Sequence, residues 1–507
     1  MLKLFGGKPD HPMAGLKEAK SILHNVQNHD AVKAVEELSH WMESVRGVEG
    51  FRPDYRAQLL LLIDDTAQIY VRRLQREYLS SARLSRFQEQ RLWTAIHGYW
   101  NQSALSFASC LELYAGGGRG VESLKSSLPL LAVRALRCLA AQIKWQYIRY
   151  GPFEGTPWGR VAKVYAFAES NKIAAAKVVV HPGVAGLPGE SSPEKEFVKA
   201  VMLAAASPDT LLPAEIELAE RLIAGFADSF KQSLEQQPDI AYWIDLATDR
   251  APLRLARPPQ HAPTLRFFAA GSAAQEAEKL AKSIESGHMV PANLNLGGSY
   301  ESDMVLDVLR HLLVYWSPKF PERRHPRHRV KSRLLVSPGY EGVMAELGSS
   351  LDFDASRIEN WIVEDVSAGG FGAVIPQFKG DWLKVGALVG LQPEGGNNWV
   401  IGIVRRLVRE TAQQGNVGIQ SLGRTSALIG LKTKDSPDDP QAALLLNPSL
   451  DALDAQVLAT PNTHEPGRSF EFEFGGKKVM LLAAKVEERG DDFELIRGKQ
   501  MIQDTGE

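Results

Sequence analysis

At Ser317-Pro318 the spacing of apolar residues changes from one every three or four positions to one every two. One layer of secondary structure cannot serve both periods, so the chain must fold in at least two differently built parts. Before the change the pattern is helical. In "QLLLLIDDTAQIYVRRLQ", Leu59, Ile63, Ala67, Tyr70 and Leu74 form one stripe. In "DMVLDVLRHLLVYW", Val305, Leu309, Leu312 and Tyr315/Trp316 share a face. That helix must stop before Ser317-Pro318, because proline lacks the N–H and disfavours helix in the residue before it. Beyond this point "NWIVEDVS", "FGAVIP", "GALVGLQP", "NWVIGIVRRLVRE" and "NVGIQSL" are short alternating runs between turn residues. Several such strands in succession predict a small antiparallel barrel or sandwich.

The expected fold class is α+β and multidomain. Residues 1–250 read as a large all-helical domain. Ser192 is the expected N-cap of a helix with Pro193 at its first position, and Pro213 with Glu215 repeats the proline-then-acid opening. After the proline-rich "APLRLARPPQHAP", residues 251–317 read as an α/β connector ending in the amphipathic helix. Within it, Ser272 and Gln275 have capping-box spacing. Residues 318–430 read as the barrel. The acidic, proline-broken "KDSPDDPQ" (434–441) reads as a linker, so 431–507 is a linker and a small C-terminal β segment. Its clearest element is a hairpin in which Phe470, Phe472 and Phe474 alternate with Glu, and Gly475-Gly476 supplies the turn.

Composition narrows the function. A net charge of −2 over 507 residues argues against a dedicated duplex-DNA binder. Two cysteines, Cys110 and Cys138, both in apolar helical surroundings, favour buried thiols and a reducing compartment. The N-terminus lacks the apolar region of a signal peptide, and no uninterrupted apolar run approaches the ~20 residues that span a bilayer. A cytoplasmic protein without membrane insertion is expected. His325 and His328 have H-x-x-H spacing but no acidic or cysteine partners nearby, so no metal is expected. "AGGGRG" (115–120) follows a helix and lacks the Lys-Ser/Thr of a phosphate loop. With no nucleophile, metalloprotease or paired-carboxylate signature to place, the chain is expected not to be an enzyme.

One local feature departs from this neutrality. "PERRHPRHRVKSR" (321–333) holds five arginines, two histidines and a lysine at the entrance to the strands. Arg323 and Arg327 make an R-x-x-x-R, with Arg324 beside the first. That spacing is common here, recurring at Arg52/Arg56, Arg250/Arg254, Arg329/Arg333 and Arg405/Arg409. About forty residues on, "EDVSAGGFGAV" contains Asp365, Ser367 and Gly370 as a D-x-S-x-x-G. The order is what distinguishes the region: basic hinge, D-x-S-x-x-G turn, then strands ending in "VGIQSL".

In these motifs the stretch from about 320 to 430 resembles a PilZ domain, the bacterial receptor module for cyclic di-GMP. The resemblance implies a six-stranded antiparallel barrel, with Arg323 and Arg327 on the arginine motif, Arg324 as an extra arginine, and Asp365, Ser367 and Gly370 on the second motif. The gap between motifs is longer than in compact members, and "PGYEGVMAELGSSLDFDASRIEN" is the expected insertion. The resemblance covers about a fifth of the chain and does not reach the helical part.

The chemistry of the residues agrees with the ligand that this resemblance implies. Guanine O6 and N7 match an arginine fork, phosphates favour arginine, and guanidinium planes stack on bases. Asp365 can accept from guanine N–H donors. Ser367 can donate or accept, and Gly370 permits a tight turn. The expectation is a non-enzymatic cyclic di-GMP receptor whose helical domain contacts an unidentified protein partner in motility, pili, secretion or exopolysaccharide. Ligand would bridge arginine segment and barrel and change the interdomain arrangement. Two other readings stay open on the residues alone: a β-barrel binding nucleic acid through the basic stretch, and a docking scaffold that ignores nucleotides.

Overall fold

The computed structural model describes residues 9–80, 84–152, 157–182, 184, 189–319, 325–348, 358–380, 382–433, 439–465 and 467–503. The chain divides into two units. The first holds most of residues 1–321. The second holds Glu322–Glu507 together with two short segments, Tyr150–Pro152 and Asp209–Leu212.

In the first unit, helices α1 (Leu16–Asn25), α2 (Ala31–Gly47), α3 (Pro53–Ser80), α4 (Arg86–Ala115), α5 (Leu128–Ile148), α6 (Trp158–Ser170), α7 (Pro193–Ala205) and α8 (Pro213–Gly225) come first. The stripe read on α3 is its buried face: Leu59, Ile63, Ala67 and Leu74 are fully covered. α5 is the hub, packed against α4, α6, α7 and α8. The stretch from Val121 through α5 is apolar and long enough to cross a membrane by composition; in this fold most of it is core. Ser192 caps α7, its hydroxyl accepting from the Lys195 N–H at 3.2 Å. Arg134 on α5 is buried and bonded to Asp64, to Asp65 at 2.6 Å and, through Nε, to the Val180 carbonyl at 2.6 Å. Burial alone would raise the Asp65 pKa. The hydrogen bond to His181 and the Arg134 charge outweigh it and hold the carboxyl below its ordinary range.

Two readings of this unit need correction. Residues 231–250 are not helical. A short ladder of β1 (Val178–Val179) and β2 (Glu190–Ser191) precedes a four-stranded sheet of β3 (Lys231–Ser233), β4 (Tyr242–Asp245), β5 (Leu253–Arg254) and β6 (Leu265–Ala269), in the order β3-β6-β4-β5. The strands between 231 and 254 have two to four residues, too few to show a period of two. The proposed capping box at Ser272 does not form. Its backbone is already helical (φ −74°, ψ −15°) and its side chain makes no capping bond to α9 (Ala273–Glu285). α10 (Ser302–Trp316) ends where proline predicted.

The second unit is two closed antiparallel barrels. The first is built from β7 (His328–Pro338), β8 (Glu359–Ser367), β9 (Gly370–Ile375), β10 (Leu388–Pro393), β11 (Val400–Arg409) and β12 (Gly415–Gly423). The second uses β13 (Ser426–Thr433), β14 (Gln441–Leu446), β15 (Asp454–Ala459), β16 (Phe470–Phe474), β17 (Lys477–Arg489) and β18 (Glu494–Gln503). Each pairs its strands, counted from its own first, as 1-2-3-6-5-4 and back to 1. The C-terminal β segment is therefore a second barrel of the same topology. The hairpin at Gly475-Gly476 forms as read, both glycines at positive φ (60° and 74°). The 434–441 stretch, however, connects β13 to β14 inside the second barrel, and the junction between barrels is Gly423–Ser426. Proline and acidic residues mark a loop equally well within a domain and between domains.

Each barrel has its own interior. Leu334, Val336, Trp361, Val389, Val404 and Ile419 fill the first; Leu431, Leu445, Val457, Phe470, Phe472 and Leu481 fill the second. A third cluster welds them. Leu388, Ile401 and Ile403 from the first barrel meet Leu444, Leu446, Leu458 and Leu495 from the outside of the second. The insertion between the two motifs contributes to this weld as α11 (Gly339–Leu347), whose Tyr340 and Val343 belong to the same cluster. Tyr340 Oη also donates to the Ala442 carbonyl at 2.9 Å, and its N–H to Asp492 at 2.7 Å.

Candidate functional site

The arginine tether enters the first barrel along β7, and the register of that strand decides where it lies. His328 pairs with Val366 and Arg329 with Asp365, so the residues just before β7 run beside the end of β8, where the D-x-S-x-x-G begins. Arg327 Nη1 donates to Asp365 Oδ2 at 3.0 Å, joining the two motifs across 38 residues of sequence. His325 also reaches the turn: a side chain added at Gly369 would lie 3.0 Å from its ring. Arg323 and Arg324 lie outside the described residues.

Each residue of the second motif has a local reason to be where it is. Asp365 stands opposite Gly372 on β9, where a Cβ would come within 2.8 Å of its carboxylate. The glycine thus makes the space that the acid occupies. Ser367 accepts from the Gly369 N–H at 3.3 Å and donates to the Gly370 carbonyl at 3.4 Å, long bonds that shape the turn and leave its hydroxyl weakly committed. Gly370 has φ 154°, and a Cβ there would collide with the Ile419 carbonyl on β12. Its requirement for glycine comes first from this close approach of strands.

These residues line an open groove of about 840 Å³ on the outer face of β8, β9, β12 and β11. That is within the range of roughly 300–1,000 Å³ typical of small-molecule sites. Two arginines outside the expected ligand set, Arg405 and Arg406 on β11, form its far side together with Gln420 on β12. Their signal was visible as an adjacent basic pair in the otherwise apolar "VIGIVRRLV". Arg406 Nε donates to Asp209 at 2.5 Å. Arg405 Nη1 and Nη2 both donate to Glu488 at 2.5 Å, and its Nε donates to Gln420 Oε1 at 2.8 Å. Every described arginine of the groove thus has a carboxylate partner, yet each stays open to solvent: Arg327 is 45%, Arg405 41% and Arg406 63% exposed. Such a surface presents unused N–H donors and planar faces, suited to an anion that carries aromatic bases. His325 and His328 are exposed, and no cluster of metal-ligating side chains occurs among the described residues.

Residues 17–237 match the family model described as the N-terminal domain of the cyclic-di-GMP receptor FimW. No curated protein matches the chain. Through its helical unit the chain is thus similar to a family of cyclic-di-GMP receptors. This likeness is independent of the arginine and D-x-S-x-x-G motifs, which lie wholly outside the matched residues.

Proposed function

We propose that the chain is a cytoplasmic, bacterial, non-catalytic receptor in which cyclic di-GMP occupies the groove on the first barrel. In this reading the barrel is of PilZ type. Arg323, Arg324 and Arg327 clamp phosphate and the guanine O6/N7 edge, while Asp365 and Ser367 accept from guanine N–H groups. The observation that carries the reading is the meeting of Arg327 with Asp365 in one groove, supported by the receptor-family match of the other unit.

The chain's last passage from the first unit to the second falls at residues 321–322, at the start of the basic tether. A ligand that binds better when the tether is wrapped on the barrel favours the arrangement of units that allows wrapping, and no other source of energy is needed. The helical unit then offers or withdraws a surface for a protein partner in motility, pili, secretion or exopolysaccharide. Calorimetric titration of the full chain with cyclic di-GMP tests the reading. Binding at micromolar concentration or tighter is expected, with Arg327→Ala and Asp365→Ala each at least about tenfold weaker, as loss of one charge-assisted contact implies. Absence of binding, or binding indifferent to both substitutions, overturns it.

A further inference from the structure

The far side of the groove is not built by the first barrel alone. Glu488, the carboxylate that grips Arg405, sits on β17 of the second barrel. One further contact brings the junction to this neighbourhood. Arg424, in the junction between barrels, donates from Nη2 to the Ala368 carbonyl inside the D-x-S-x-x-G at 2.9 Å. The second barrel has meanwhile given up the matching face of its own. In the first barrel the groove lies over the outer side of the second, third, fifth and sixth strands. In the second barrel the outer side of the second, third and sixth strands carries Leu444, Leu446, Leu458 and Leu495, buried against the first barrel.

We propose that Glu488 of the second barrel, with Gln420, fixes the Arg405 guanidinium as a flat platform on which a guanine of the cyclic dinucleotide stacks, so that the nucleotide site spans both barrels. The inference rests on the reading of the groove as a cyclic di-GMP site. Arg405 has its fork end turned to Glu488 and its Nε edge to Gln420, so both edges that would grip a phosphate are committed. With its charge balanced at contact distance, it has little pull left for a dianion. What a 41% exposed guanidinium held in this way still offers is its weakly hydrated face. Arg327, held by one bond, keeps its other donors for phosphate and guanine edges. Glu488 is thus a positioning residue acting through Arg405.

The test is a titration of full-length chains with cyclic di-GMP at two salt concentrations. Glu488→Gln keeps the side-chain shape but loses the paired carboxylate, and it should bind about three- to tenfold more weakly. Arg405→Lys keeps the charge without the plane and should weaken binding by a similar factor. The double variant should be no weaker than Arg405→Lys alone, because the first residue acts only through the second. Neither single change should alter the salt dependence, which belongs to phosphate contacts such as Arg327. Glu488→Gln binding as tightly as wild type, or tighter through an unmasked cation, overturns the inference while leaving the groove reading intact. Additive losses in the double variant overturn it as well. Failure of the wild-type chain to bind removes the groove reading, and this inference with it.

Discussion

At the residue scale, the two motifs show how one side chain can be required twice over. Gly370 belongs to the D-x-S-x-x-G that the resemblance assigns to nucleotide recognition, yet the Ile419 carbonyl already excludes any larger residue there. Gly370→Ala is therefore expected to cost about 3 kcal/mol of stability, from overpacking together with an unfavourable backbone angle. Chemical denaturation without ligand reads this. An unchanged midpoint would mean that β9 and β12 part more easily than their pairing indicates. Asp365 and Ser367 could be picked out from the sequence because polar residues at fixed offsets around a turn are a local pattern. Arg405 is visible in the sequence only as half of a basic pair in an apolar strand, and what gives it a place in the groove is a partner 83 residues away.

At the element scale, most helices and the strands of the first barrel were legible because period and punctuation are short-range properties. The failures share a cause. The 231–254 strands are too short to show a period, and the 434–441 loop has the composition of a linker while joining paired strands. The described part of the insertion between motifs holds α11, a helix that helps weld the barrels. That weld makes a prediction. Leu458 is fully buried on the outer side of the second barrel, so Leu458→Ala should destabilise the barrel pair by about 2–5 kcal/mol. Leu428 is half exposed, and its replacement by Ala should stay within about 0.5 kcal/mol. Equal effects of the two substitutions would show that the barrels do not rely on one another.

At the scale of the whole molecule, the basic tether follows the last point at which the chain passes from one unit to the other, and the proposed ligand acts there. Arg323, Arg324 and Arg327 are also trypsin sites. Cyclic di-GMP is expected to slow cleavage at these arginines in the full chain, while cleavage at exposed sites elsewhere proceeds unchanged; quantitative mass spectrometry of a time course measures it. Equal rates at the tether with saturating ligand would separate binding from any wrapping of the tether. By itself, the order of residues determined the change of fold class at Ser317-Pro318, the helical stripes, the alternating strands and the identity of the two motifs. All of these depend on neighbours a few positions apart, where backbone sterics and side-chain period act. Only the tertiary structure decided that Arg327 meets Asp365, that a second barrel repeats the strand order of the first, and that Glu488 holds Arg405. Those contacts arise from barrel closure and strand register, which bring together residues that no local pattern relates.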